Sequence, residues 1–185
     1  MHKAVIIGGS AGSFRVITRI LNALPKHYPV PVLLNLHRLK HVRSGFVEAL
    51  SIKSGIPVVE PYDKESIKPG IAYLAPSNYH MYIELNKKIA LSTEEAVNHS
   101  RPSIDLSFET AAHTYNKSLL GIILSGANKD GAWGLKKIKE AGGTVIVQDP
   151  KECEVATMTE TALRMTEADY IYNTQQIIDY LLKIK

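Results

Sequence analysis

The sequence predicts an α/β fold, a mostly parallel, doubly wound sheet with helices on both faces and an inserted β-hairpin. Three observations carry that reading. Short apolar runs alternate with stretches of helical periodicity along most of the chain. The runs are continuous rather than alternating apolar and polar, which marks strands covered on both sides, as in a parallel sheet. One pair of runs, Tyr79–Glu84 and Ile89–Ser92, is split only by the turn around Asn86-Lys87-Lys88, a hairpin signal.

The elements follow in order. Strands are expected at Ala4–Ile7, Val30–Leu36, Ile71–Leu74, Leu119–Leu124 and Thr144–Val147. Helices are expected near Phe14–Leu24, Arg43–Ser54, Ile104–Tyr115, Ala132–Ala141, Thr157–Met165 and Thr174–Leu182. Pro102 or Ser103 opens the third helix, and Gly142-Gly143 closes the fourth. There is no repeat, low-complexity tract or linker, so residues 1–185 read as a single domain.

Composition narrows the function classes. A hydrophobic share of 45% and a charged share of 22% are those of an ordinary water-soluble domain. No apolar run approaches the ~18 residues of a membrane span. Met1-His2-Lys3 leads straight into a strand, without the apolar region and cleavage site of a signal peptide. Cys153 is the only cysteine, so no internal disulfide forms, and a cytoplasmic location is the expectation. The net charge of +4 comes from scattered Lys and Arg with no interleaved aromatics, which argues against nucleic acid as a partner.

The segment Gly8-Gly9-Ser10-Ala11-Gly12 carries the chemistry. G-x-S-x-G between a strand and a helix makes a nucleophile elbow, with the serine hydroxyl exposed at the strand's carboxyl end. The following helix turns its free N–H groups and partial positive charge toward the same spot. The dinucleotide pattern G-x-G-x-x-G fails, because Ser10 and Ser13 occupy its second and third glycine positions. The P-loop pattern fails for lack of Gly-Lys-Ser/Thr. In parallel sheets, sites gather beyond the carboxyl ends of the strands. His37 directly follows the second expected strand, and Asp130 lies in the loop Ser125–Gly131 after the fourth. Ser10, His37 and Asp130 therefore fall on one edge of the sheet as nucleophile, base and orienting carboxylate. The chain order Ser, His, Asp departs from the Ser, Asp/Glu, His of ordinary α/β-hydrolases, but a triad is defined by geometry.

Rival residues are weighed against these. His80 is the main alternative base, with a structural or substrate-facing role preferred for it. His37 and His41 form H-x-x-x-H, but Arg38 stands where the zinc-protease motif needs Glu, so no metal is expected. Ser125 lacks the elbow frame. Arg101 reads as a cap or surface residue rather than a substrate clamp, and Trp133 as core or rim packing.

Taken together, I-I-G-G-S-A-G, Leu36-His37, the run from Pro69 to Met81, Arg101–Asp105, Leu124–Gly131 and the Gly-Gly-Thr-Val strand leading to Gln148-Asp149 resemble the catalytic domain of the CheB family, the chemotaxis-receptor protein-glutamate methylesterases. The resemblance covers nearly the whole chain. It implies a cytoplasmic serine esterase that needs no cofactor and hydrolyses glutamyl methyl esters on the methylated cytoplasmic helices of chemoreceptors, releasing methanol. Some members also deamidate receptor glutamines. The family's triad falls on Ser10, His37 and Asp130. Family members usually carry a receiver domain ahead of this one; none is read here, so regulation in cis is expected to be absent. Three departures bear on substrate identity: Ser13 replaces a common glycine, Ala127 stands where methionine is frequent, and Arg38-Leu39-Lys40 lacks a frequent proline. Two other classes stay open: a serine hydrolase of another ester or amide, and a protein-binding module of the same fold. Oligomeric state is not legible.

Overall fold

A computed structural model describes residues 1–37 and 45–185. Among these residues, seven strands form one sheet: β1 (Ala4–Gly9), β2 (Val32–Leu36), β3 (Val58–Val59), β4 (Ala72–Leu74), β7 (Leu119–Ile123), β8 (Thr144–Gln148) and β9 (Tyr170–Tyr172). Their order is β3-β4-β2-β1-β7-β8-β9, and every pairing is parallel. The two remaining strands, β5 (His80–Ile83) and β6 (Ile89–Ser92), pair antiparallel with each other as a separate hairpin. The expected mostly parallel sheet and its inserted hairpin are both present.

Alternation of side chains sorts the core into two layers. Val5, Ile7, Leu34, Leu120 and Ile122 face helices α1 (Ser13–Ala23), α2 (Phe46–Ser51) and α6 (Thr174–Leu181). Ala4, Ile6, Leu33, Leu119 and Ile123 face α3 (Ile104–Tyr115), α4 (Ala132–Glu140), α5 (Thr157–Met165) and the hairpin. Every residue of β1, β2 and β7 is buried, which explains their apolar runs; the polar exception, Asn35 in β2, donates its side-chain amide to the Ser103 carbonyl and the Ser107 hydroxyl. α3 begins at an N-cap, Ser103, whose side chain accepts from the Leu106 N–H. α4 ends where Gly142 takes a left-handed φ of 80°.

The sequence reading misses β3 and β9. Two and three residues are too short for a periodicity signal, and their pairing partners, not their own pattern, define them. Of the second expected helix, Arg43 and Ser44 lie outside the described residues; the described part runs from Phe46 to Ser51 rather than to Ser54, and Gly55 beyond it donates its N–H back to the Leu21 carbonyl.

Candidate active site

The turn from β1 into α1 depends on Gly12. Its φ is 81°, and a Cβ there would lie 2.5 Å from Cβ of Glu154 and 2.7 Å from Oγ of Ser125. The half-buried Ser10 stands at the apex. Its N–H donates to the Ser125 carbonyl at 2.9 Å. Its carbonyl accepts from the Ser13 N–H at 3.0 Å and from the Ser13 hydroxyl at 2.7 Å. Ser13, one of the two serines that break the dinucleotide pattern, therefore closes the turn. Ser125 is a buckle behind the elbow, its hydroxyl donating to the Ala11 carbonyl at 2.7 Å and accepting from the Val155 N–H at 3.0 Å. At 1% exposure and with its hydroxyl so committed, Ser125 is not a rival nucleophile. The Ser10 N–H is occupied by Ser125, whereas the N–H groups of Ala11 and Gly12 have no acceptor among the described residues. Those two amides lead into α1 directly after Ser10, where backbone donors of this kind can meet an oxyanion.

His37 continues the ladder between β1 and β2. Gly9 pairs with Leu36, and the His37 N–H donates to the Gly9 carbonyl at 3.1 Å. Ser10 and His37 thus occupy the next rung of two strands that run ~4.8 Å apart. The imidazole Nε2 donates to Oδ2 of Asp130 at 2.7 Å. A neutral ring bonded this way carries its lone pair on Nδ1. Asn128 Nδ2 lies 3.4 Å from that atom, a long contact, and Asn128 Oδ1 accepts the Asp130 N–H at 3.1 Å.

Asp130 is fully buried and its carboxylate is fully engaged. Oδ2 takes the Ile104 N–H at 2.7 Å in addition to His37. Oδ1 takes the Ser103 hydroxyl at 2.9 Å and the Asp105 N–H at 3.2 Å. These amides open α3, so the carboxylate sits on a helix N-terminus. Burial alone would raise the Asp130 carboxyl, but the bonds from His37, Ile104 and Asp105 and the nearby imidazole outweigh it and hold it below the usual range. Asp130 is therefore an anion at neutral pH, aimed at His37.

A second carboxylate mirrors it. Asp105, in the first turn of α3, accepts through Oδ1 from the N–H groups of Gly131 and Gly134, each at 2.8 Å, where α4 opens. Asn98 Nδ2 links the two acids, 2.9 Å from Asp105 Oδ2 and 3.4 Å from Asp130 Oδ1. Sequence reasoning missed Asn98, Asn128 and the role of Asp105. Only the last had a signal, an acidic residue in the first turn after a Ser N-cap.

The structure thus places Ser10 and His37 at neighbouring strand ends and bonds His37 to Asp130, all at the carboxyl edge of β1, β2 and β7. It places the rivals elsewhere. His80 is fully buried, with Nδ1 accepting the Ser103 N–H at 3.2 Å and Nε2 on the Glu95 carbonyl at 2.9 Å. Both ring nitrogens are in use, so its role is structural. Arg101 ties the loops together through Asn78 Oδ1 and the carbonyls of Thr93 and Glu94. Trp133 is 42% exposed at the rim. His41, with Arg38, Leu39 and Lys40, lies outside the described residues.

Comparison with known proteins gives one consistent answer. A family model described as CheB methylesterase matches residues 5–181. A Leptospira interrogans protein, provisionally named protein-glutamate methylesterase/protein-glutamine glutaminase, is 41% identical over 183 residues, covering 99% of this chain and 95% of that one. A Thermotoga maritima protein of the same name without the provision is 33% identical over 98% of this chain, and here the chain spans about half of the relative, 54%. The crystal structure of the Thermotoga maritima CheB methylesterase catalytic domain superposes with a TM-score of 0.93 at 32% identity, over 99% of this chain and 98% of that one.

Proposed function

The chain belongs to the CheB methylesterase family, and on that premise we propose that it hydrolyses glutamyl methyl esters on the cytoplasmic helices of chemoreceptors with Ser10 as nucleophile, His37 as base and Asp130 as orienting anion. One observation carries the assignment: His37, on the rung beside Ser10, holds a 2.7 Å bond to a buried carboxylate. Ser10 Oγ attacks the ester carbonyl while His37 Nδ1 takes its proton. The amides of Ala11 and Gly12 face the tetrahedral oxyanion. Collapse expels methoxide, which leaves as methanol with the proton from His37, and a glutamyl ester remains on Ser10. Water, activated by the same imidazole, releases the glutamate. Attack on a glutamine carboxamide would follow the same path with ammonia leaving, as the names of the relatives suggest.

The reading places residues 1–185 as one catalytic unit acting in the cytoplasm without a metal or organic cofactor. The test is methanol release from a methyl-labelled chemoreceptor cytoplasmic fragment. The wild-type protein should release methanol, and Ser10→Ala should lower turnover by ~10⁴-fold or more while its melting curve is unchanged. Unaltered release by Ser10→Ala, or no release by the wild type, would overturn the proposal.

A further inference from the structure

The two buried acids exchange helix ends. Asp130 precedes α4 but accepts the N–H groups that open α3, and Asp105 belongs to α3 but accepts the N–H groups that open α4. Gly131, held by Asp105, is the residue directly after Asp130, so Asp105 grips the backbone that aims the Asp130 carboxylate. Gly131 has a φ of 95°, and a Cβ there would lie 2.6 Å from Ile123 and 2.7 Å from Ile104, so only glycine fits this turn. Asn98 bridges the two carboxylates, which places their oxygens within about 6 Å of each other, the sum of its two contacts. At that range a second negative charge is felt by the first and by the imidazole beyond it.

From this geometry we propose that Asp105 is a positioning residue for the His37–Asp130 pair: it fixes the turn that carries Asp130 and adds a second negative charge behind it that stabilises the protonated imidazole. The proposal rests on His37 being the base. Three features of the site support it. Asp105 is only 7% exposed and has a partner on each oxygen, so it is not an idle surface acid. It reaches solvent through a cavity of about 290 Å³ lined with Asn98, Lys129, Trp133 and Met165, which gives a proton a route in. Burial and the Asp130 charge raise its carboxyl to about 6 against the bonds from Gly134, Gly131 and Asn98. Of the two acids, Asp105 therefore takes the proton first on acidification, and Asp130 stays ionised for His37.

Among the described residues, these charged or titratable groups lie near Asp105. Asp130 faces it from the loop before α4, and His37 lies beyond Asp130. Lys129 stands at the cavity rim. His80, from β5, bonds the Ser103 N–H at the start of the same helix. Asp130 is the charge that dominates.

The test is a pH titration of the His37 ring by NMR on the full chain with labelled histidine, the resonance assigned by its loss in His37→Gln. In Asp105→Asn an amide oxygen still accepts from Gly131 and Gly134, but the charge is gone. The His37 transition should move down by about one pH unit, from a Coulomb interaction across roughly 8–10 Å at an effective dielectric of about 20. Asp105→Glu, which keeps the charge, should restore most of that displacement. The acidic limb of kcat/KM for methanol release should move with the ring. If Asp105→Asn loses its cooperative melting transition, Asp105→Ser, which keeps a hydroxyl acceptor, carries the same expectation. A His37 transition within 0.1 unit of wild type in a folded charge-removing variant would overturn the proposal. The ring titration is read without substrate, so failure of the esterase reading, no methanol from the wild type, stays distinct from failure of this coupling.

Discussion

Replacing Asp130 with asparagine leaves one oxygen where five donors now meet two. Oδ2 serves His37 and Ile104, and Oδ1 serves Ser103, Asp105 and, more distantly, Asn98. If the new NH₂ group takes the Oδ2 position, it confronts the Ile104 N–H, now 2.7 Å away, and forces His37 to accept at Nε2. The ring proton then moves to Nδ1, and the lone pair that should take the Ser10 proton is lost. If the NH₂ group takes the Oδ1 position, the His37 tautomer survives, but the Asp105 N–H is left facing a donor. Both placements strand a buried helix-opening amide, at a cost of ~1–3 kcal/mol, and remove charge-assisted bonds worth ~1.5–3 kcal/mol. Relief of the Asp105 charge offsets part of this, so the net loss is about 2–4 kcal/mol. For a chain of this size that lowers Tm by roughly 5–15 °C. In a chymotrypsin-type triad the same exchange costs about 10⁴ in kcat through the wrong tautomer. Methanol release from methylated receptor fragment, thermal melts followed by circular dichroism, and ¹⁵N shifts of the His37 ring read the three effects separately. Turnover within tenfold of wild type, with the ring proton on Nε2 in both proteins, would refute the idea that Asp130 orients the base.

Two further outcomes follow from the same geometry. His37→Gln should be nearly inactive across pH, whereas His80→Gln should keep the acidic limb of kcat/KM and lose stability instead, because His80 is buried with both ring nitrogens bonded; the reverse pattern in esterase assays would move the base to the hairpin. The two carboxylates should also leave opposite marks on stability against pH: Asp130, depressed, adds stability above the ordinary carboxylate range near ~3.9 that is lost as pH falls through its folded value, whereas Asp105, raised to about 6, makes the native state take up a proton early, so its term improves as pH falls from about 6 toward ~4. The Tm of Asp105→Asn relative to wild type should accordingly be higher at pH 7 than at pH 4.5, and a difference independent of pH in calorimetry would exclude the raised carboxyl.

The parts of the fold that were legible are those whose burial is written in their own residues. Ala4–Ile7 and Leu119–Ile123 are apolar at every position because both faces of the central sheet are covered. Ser10 and His37 could be placed because strand ends mark the functional edge of a parallel sheet. Asp130 needed the added premise that its loop turns back over that edge. The margins were not legible: Val58–Val59 and Tyr170–Tyr172 become strands through the neighbours they meet. Nor could Asp105 be seen as a partner of Asp130, since the two are brought together by α3 packing on α4, a contact between segments 25 residues apart in number. His80 looked polar and available at a strand end, and only its burial under Glu95 and beside Ser103 removed it from contention.

The order of the sheet gives the site an unequal exposure to wear. The strands that end in Ser10, His37 and the Asp130 loop are β1, β2 and β7, three adjacent members at the middle of seven. The margins are the two residues of β3 and the three of β9. Local opening starts where contacts are fewest, and central strands exchange their amides only when the whole molecule opens. A frayed margin therefore leaves the reacting groups in register. Heating should take activity and fold away together, and a partly unravelled chain should still be a working one.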